Sequence, residues 1–122
     1  MDHYLKDLKM SVYEDGSIDE SEVKTLRSVL ARGLGRDEVQ VLLDINTILS
    51  GSDYPSSFED LFVDSLTTFA LDGGTTISDD TWAWLKGHLL RDGTVDDLER
   101  KALQAIRAAA ESVPDDLAAL AG

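Results

Sequence analysis

The string Asp15-Gly16-Ser17-Ile18-Asp19-Glu20-Ser21-Glu22 returns almost unchanged as Asp92-Gly93-Thr94-Val95-Asp96-Asp97-Leu98-Glu99, and it permits little besides a helix, a turn and a second helix. Asp-Gly ends the incoming helix, because glycine takes positive φ without steric cost and aspartate tolerates the same region. Ile18 then stands just outside a new helix, Asp19 offers an N-cap oxygen, Glu22 occupies the third helical position and Val23 the fourth. That order is a capping box with a hydrophobic staple between Ile18 and Val23. Ile77-Ser78-Asp79-Asp80-Thr81-Trp82, after Asp72-Gly73-Gly74, keeps the staple and a Ser78 cap but has Thr81 where the box wants Glu. Leu34-Gly35-Arg36-Asp37-Glu38-Val39 puts a glycine at the cap. Four helix starts share one grammar.

Apolar spacing fills in the rest. Tyr4, Leu5, Leu8 and Val12 recur at helical period, which predicts a first helix over Asp2 to Glu14. Val23, Leu26, Val29 and Leu30 mark a second over Glu20 to Arg32. Val39, Val41, Leu42, Leu43, Ile45, Ile48 and Leu49 surround the third on nearly all sides, the pattern of a helix buried at the centre. After Gly51 to Pro55, Ser56 and Glu59 predict another capping box ahead of Phe58, Leu61, Phe62, Leu66 and Phe69. Ser78 to Leu90 is the fifth helix, Asp96 to Ser112 the sixth and Asp115 to Ala121 a short seventh behind Pro114. No run alternates long enough for a strand. The expected fold is all-α, one domain over residues 1–122 with seven helices.

The halves also match each other. Asp7 falls on Asp64, Val12 on Phe69 and Asp15 on Asp72; after a two-residue insertion Ile18 falls on Ile77, Val23 on Trp82 and Leu26 on Leu85. After two more, Glu38 falls on Glu99 and Leu42 on Leu103. Punctuation and apolar residues agree together, which predicts a duplicated three-helix unit.

Composition narrows the function classes. The 122 residues suit one domain with a core, and 43% hydrophobic content with two prolines excludes a disordered acidic tail. Twenty-four acidic against 11 basic residues give a formal charge of −13. Such a field argues against nucleic acid and anionic membrane as direct partners and for a basic protein surface or cations. The absence of cysteine rules out disulfides, thiolate metal sites and thiol nucleophiles. Met1 to Lys6 shows no basic start and no apolar run, and no stretch reaches the roughly 20 apolar residues of a spanning helix, so a cytoplasmic location is expected.

The nearest recognisable chemistry is calcium. With Gly16 on the glycine of an EF-hand loop, Asp15, Asp19 and Glu22 take the fifth, ninth and twelfth places, and Asp92, Asp96 and Glu99 do the same around Gly93. The first and third places hold Ser11 and Tyr13, or His88 and Leu90, so neither stretch alone is an EF-hand. Two readings stay open: plain caps, or one calcium or magnesium site shared by the six carboxylates if the duplication brings them together. Asp64 and Asp7 are either ligands facing a turn or helix flanks in water. His3 and His88 lack ligand partners at metal spacing and read as surface residues. No nucleophile elbow or dinucleotide fingerprint is present, so an enzyme ranks last. Trp82 and Trp84 point to different helix faces. Trp84 is therefore either second-layer packing or an aromatic anchor for a partner.

The joints at Asp15 to Glu22 and Asp92 to Glu99, with Leu61-Phe62-Val63-Asp64 and Trp84-Leu85 as weaker echoes, resemble the TerB-like family named after the tellurite resistance protein TerB. The resemblance spans about residues 1 to 113. It implies a seven-helix fold and a bacterial or phage cytoplasmic role in stress response, with acidic residues chelating metal and no established reaction. Thr81, where the pattern has Glu, departs from it. The sequence thus points to a non-enzymatic acidic binding module, with Glu20, Asp97 and Trp84 as partner-binding residues beside the joint carboxylates. The alternative is a small acidic inhibitor or immunity protein that blocks a basic site, and the charge serving solubility alone stays open beside both.

Overall fold

Residues 3–49, 54–72, 74–90 and 95–121 are described by the structure, a computed structural model. They form seven helices in chain order: α1 (His3–Asp15), α2 (Glu20–Leu30), α3 (Arg36–Leu49), α4 (Ser56–Leu71), α5 (Asp79–Leu89), α6 (Asp97–Ala109) and α7 (Asp115–Ala121). The fold is all-α; among the described residues the extended pairing is a single parallel bridge between Thr76 and Ser112. The chain divides into two compact units, residues 1–61 and 62–122, and the division falls within α4.

The four predicted starts are built as read. Asp19 accepts from the Glu22 N–H at 2.8 Å while Glu22 accepts from the Asp19 N–H at 3.1 Å, and Asp96 with Glu99 repeats this at 2.8 and 3.0 Å. Ser78 accepts from the Thr81 N–H at 3.1 Å, and the Gly35 N–H donates to Glu38 at 3.3 Å. The staple pairs Ile18 with Val23 and Ile77 with Trp82 are all buried. Gly16 closes α1 at φ 67°, donating to the Val12 carbonyl at 2.7 Å. At the end of α4 the left-handed position falls one residue earlier, on Asp72 at φ 46°. Aspartate is one of the few residues able to take it.

Several boundaries differ from expectation, and at three of them a backbone group finds another partner. The second helix stops at Leu30, since the Arg32 and Gly33 N–H groups tighten to three-residue turns on Val29 and Leu30. The sixth stops at Ala109, because Ala110 is extended and the Glu111 N–H donates across to the Thr75 carbonyl at 2.7 Å. Ser56 lies inside α4 rather than capping it; the Pro55 carbonyl takes the first-turn bond from Phe58.

In the first unit α1 packs on α2 and α3, and Lys9 pairs with Asp44 at 3.0 Å between α1 and α3. Helix α3 is its centre: seven of its 14 residues are buried. Ile48, expected inward, is half-buried, while Asn46 is buried in the core. Among the described residues no buried side-chain nitrogen or oxygen is left without a partner. In the second unit α6 packs on α7, and Gln104 donates to the Ala121 carbonyl at 2.9 Å.

The repeat is visible in the helix boundaries. A shift of 59 positions carries Glu20–Leu30 onto Asp79–Leu89, both 11 residues long. The same shift carries the first turns of α4, from Ser56, onto α7, from Asp115. Each repeat therefore holds a fourth element beyond the three expected. Helix α4 serves at once as the last helix of one repeat and the first of the next.

Candidate functional site

The joint between α1 and α2 gathers exposed acid around a fixed turn. Glu14, Asp15, Asp19 and Glu20 are all exposed, and the joint between α4 and α5 likewise exposes Asp72, Asp79 and Asp80. Four of the six carboxylates singled out for metal are engaged in capping, and Asp15 is exposed at the end of α1. Asp19 and Asp96 hold backbone N–H groups, and Glu22 and Glu99 reach back to their caps. The second oxygen of Glu22 accepts from Ser11 at 3.4 Å. Asp92 lies outside the described residues. Among those described, no three His, Asp or Glu side chains converge in a way that could hold an ion.

The cap reading makes a definite prediction. Asp19→Ala is expected to lose about 1 kcal/mol of stability, and Asp19→Asn to lose much less, because asparagine caps as well as aspartate. Calcium at millimolar concentration is expected to leave the Tm of the parent chain where matched ionic strength leaves it. A calcium-specific rise in thermal melts that disappears in Glu22→Gln with Glu99→Gln would instead place a cation at the joints.

Partner candidates fall in different settings. Asp97 is exposed on the first turn of α6. Trp84 is half-buried, with its ring centroid 5.4 Å from Phe69 and 4.4 Å from His88, so it packs as a second layer. His88 itself is half-buried against Trp84. Asp7 and Asp64 are exposed helix flanks. Glu20 accepts a hydrogen bond from Ser57 at 3.0 Å and stands at the edge of a cavity of about 450 Å³.

That cavity was not legible in the sequence. Glu20, Ser21, Val23, Lys24 and Arg27 line it from α2, and Ser57 from the start of α4. Among the described residues neither Lys24 nor Arg27 has an acidic partner. A second cluster, in residues 62–122, was missed as well. The Trp82 indole N–H donates to Asp116 at 2.9 Å, and Lys86 donates to the other oxygen at 2.6 Å. The Lys86 hydrogen bond, aided by the indole and by the lysine's charge against a smaller opposing effect of desolvation, holds the Asp116 carboxyl below its ordinary value. Lowering means that the contact is complete above the ordinary value of 3.8 and is lost as pH falls through the depressed one. Residues 34 positions apart make this cluster, and no local pattern announces it.

Comparison with protein-family models, curated proteins and solved structures finds no match for this chain.

Proposed function

We propose that this chain is a non-enzymatic helical binding module of TerB-like type, in which exposed carboxylates at the helix joints meet a basic surface on a protein partner. The observation that carries the reading is the clustering of Asp15, Asp19 and Glu20, all exposed, on a turn held by a two-way capping box. A turn fixed in this way presents charge without a further ordering cost on binding, and that favours specificity. A chain of net charge −13 also steers a basic partner over about a Debye length, near 8 Å in physiological salt. The family resemblance adds a role in bacterial stress response to this reading.

The test is capture from the native cell followed by binding kinetics. Association with the captured partner is expected to slow steeply as salt rises, with dissociation changing less. Asp15→Asn with Glu20→Gln and Asp97→Asn, all of which spare the caps, is expected to weaken capture and flatten the salt dependence. Equal capture with unchanged salt dependence would assign the acid to solubility. A captured enzyme whose activity falls on binding would favour the inhibitor reading instead.

A further inference from the structure

We propose that the outer side of α1, around Met10 and Tyr13, docks a basic amphipathic helix of a protein partner. The proposal rests on the basic-partner reading of the joints and supplies the apolar half of that contact.

Met10 and Tyr13 are the large apolar side chains left exposed among the described residues, at 49% and 67%. They stand three positions apart, so they share one side of α1, while Val12 fills the core from another. Apolar residues scattered singly over a surface are ordinary, but two neighbours on one helix face make a patch. In the second repeat the same side of the helix is closed. The offset that carries Asp7 onto Asp64 and Val12 onto Phe69 carries Met10 onto Thr67 and Tyr13 onto Ala70. Thr67 is half-buried and Ala70 is buried. Alanine at the covered position lets a neighbour come close, whereas tyrosine at the open one offers a large, stiff contact area of the kind that anchors a partner.

Charge selects the occupant. Asp7, three positions before Met10, and Glu14, four after it, border the patch and are exposed. Asp15 follows, also exposed, and the Gly16 N–H ties that end to the Val12 carbonyl at 2.7 Å, so joint and patch are continuous. Lys9, one turn before Tyr13, is paired with Asp44 of α3 at 3.0 Å, and its charge is already matched. An apolar centre with an acidic border is complementary to an apolar centre with a basic one. A second copy of this chain would instead bring acid against acid, with −13 on each molecule. The ridges of a helix pack into the grooves of another helix, and apolar anchors at helical spacing are read in that way.

The probe is a synthetic helix with blocked ends, leucine on one side and lysine and arginine on the other, titrated into the full chain. Backbone amide shifts and fluorescence anisotropy are the readouts. Shifts are expected at Met10, Tyr13 and Glu14. Met10→Ser with Tyr13→Ser is expected to weaken binding at least about tenfold, the scale of a lost anchor. Its Tm should change little, because both side chains are exposed. Tyr13→Phe should retain most of the affinity, and a peptide with serine for leucine should lose it. Loss in the serine variant with full binding by Asp15→Asn with Glu20→Gln would keep the face and overturn the reading of the joint. Full binding by the serine variant with loss in the neutralised joint would overturn this proposal and leave the joint reading standing. No binding by the parent chain would overturn it too. So would dimers that Tyr13→Ser dissolves, or attachment to phosphatidylcholine vesicles in place of the peptide, which would assign the patch to a second copy or to a lipid surface.

Discussion

Leu42→Ala will lower the free energy of unfolding by about 2–5 kcal/mol, a large share of the roughly 5–15 kcal/mol that holds a domain together. Leu42 is fully buried in α3, between Val39 and Ile45, which are also fully buried, so the void left by its side chain has close-packed walls. Such walls collapse only in part, and the remaining cavity adds to the lost transfer energy. Urea unfolding followed by circular dichroism should show the midpoint falling with the slope unchanged. Ile48→Ala, on the half-buried side of the same helix, should cost distinctly less. A loss for Leu42→Ala no greater than that for Ile48→Ala would remove α3 from the centre of its unit.

Asp64→Pro is expected to cost about 3 kcal/mol or more, and Asp64→Ala to stay within about 0.5 kcal/mol of the parent. Asp64 is exposed in the middle of α4, so its side chain contributes little, but its N–H belongs to the continuous hydrogen-bonded ladder of Ser56–Leu71. Proline removes that donor and pushes its ring against the carbonyl four residues back. Helical signal at 222 nm and thermal melts would read both changes. A tolerated proline would mean that α4 is two helices abutting, and a costly alanine would return Asp64 to the list of working residues.

The joints were legible because their physics is local. Asp19 and Glu22, or Asp96 and Glu99, satisfy each other within three positions, and the sequence states both partners. The burial of α3 was legible for a similar reason, since apolar residues on nearly every side of a helix leave it no face for water. What escaped depends on distant chain. The early end of α6 is decided by Thr75, 36 positions from Glu111. Asn46 lies within an apolar run whose period gives no hint that one polar side chain turns inward. The joint after α4 reads like the joint after α1, yet there the aspartate, Asp72, takes a left-handed position, because α4 ends one residue sooner relative to its Asp-Gly pair. The cavity beside α2 escaped because a void is defined by what α4 brings near, Ser57 lying 30 positions from Arg27.

The shared helix also bears on which changes in length the chain can survive. Turns absorb inserted residues at small entropic cost, and the two repeats already differ by two residues in the turn before α2 and α5. An inserted residue between Leu61 and Val63 would have no turn to absorb it. It would rotate Leu66 and Ala70 by about 100° about the helix axis relative to Phe58 and Leu61. All four are buried, so the rotation would carry one pair or the other out of its core. Drift in length is therefore open to the loops of this chain and closed to the middle of α4, where a single codon gained or lost would turn one buried pair of that helix away from its own core, a change that substitutions alone approach only gradually.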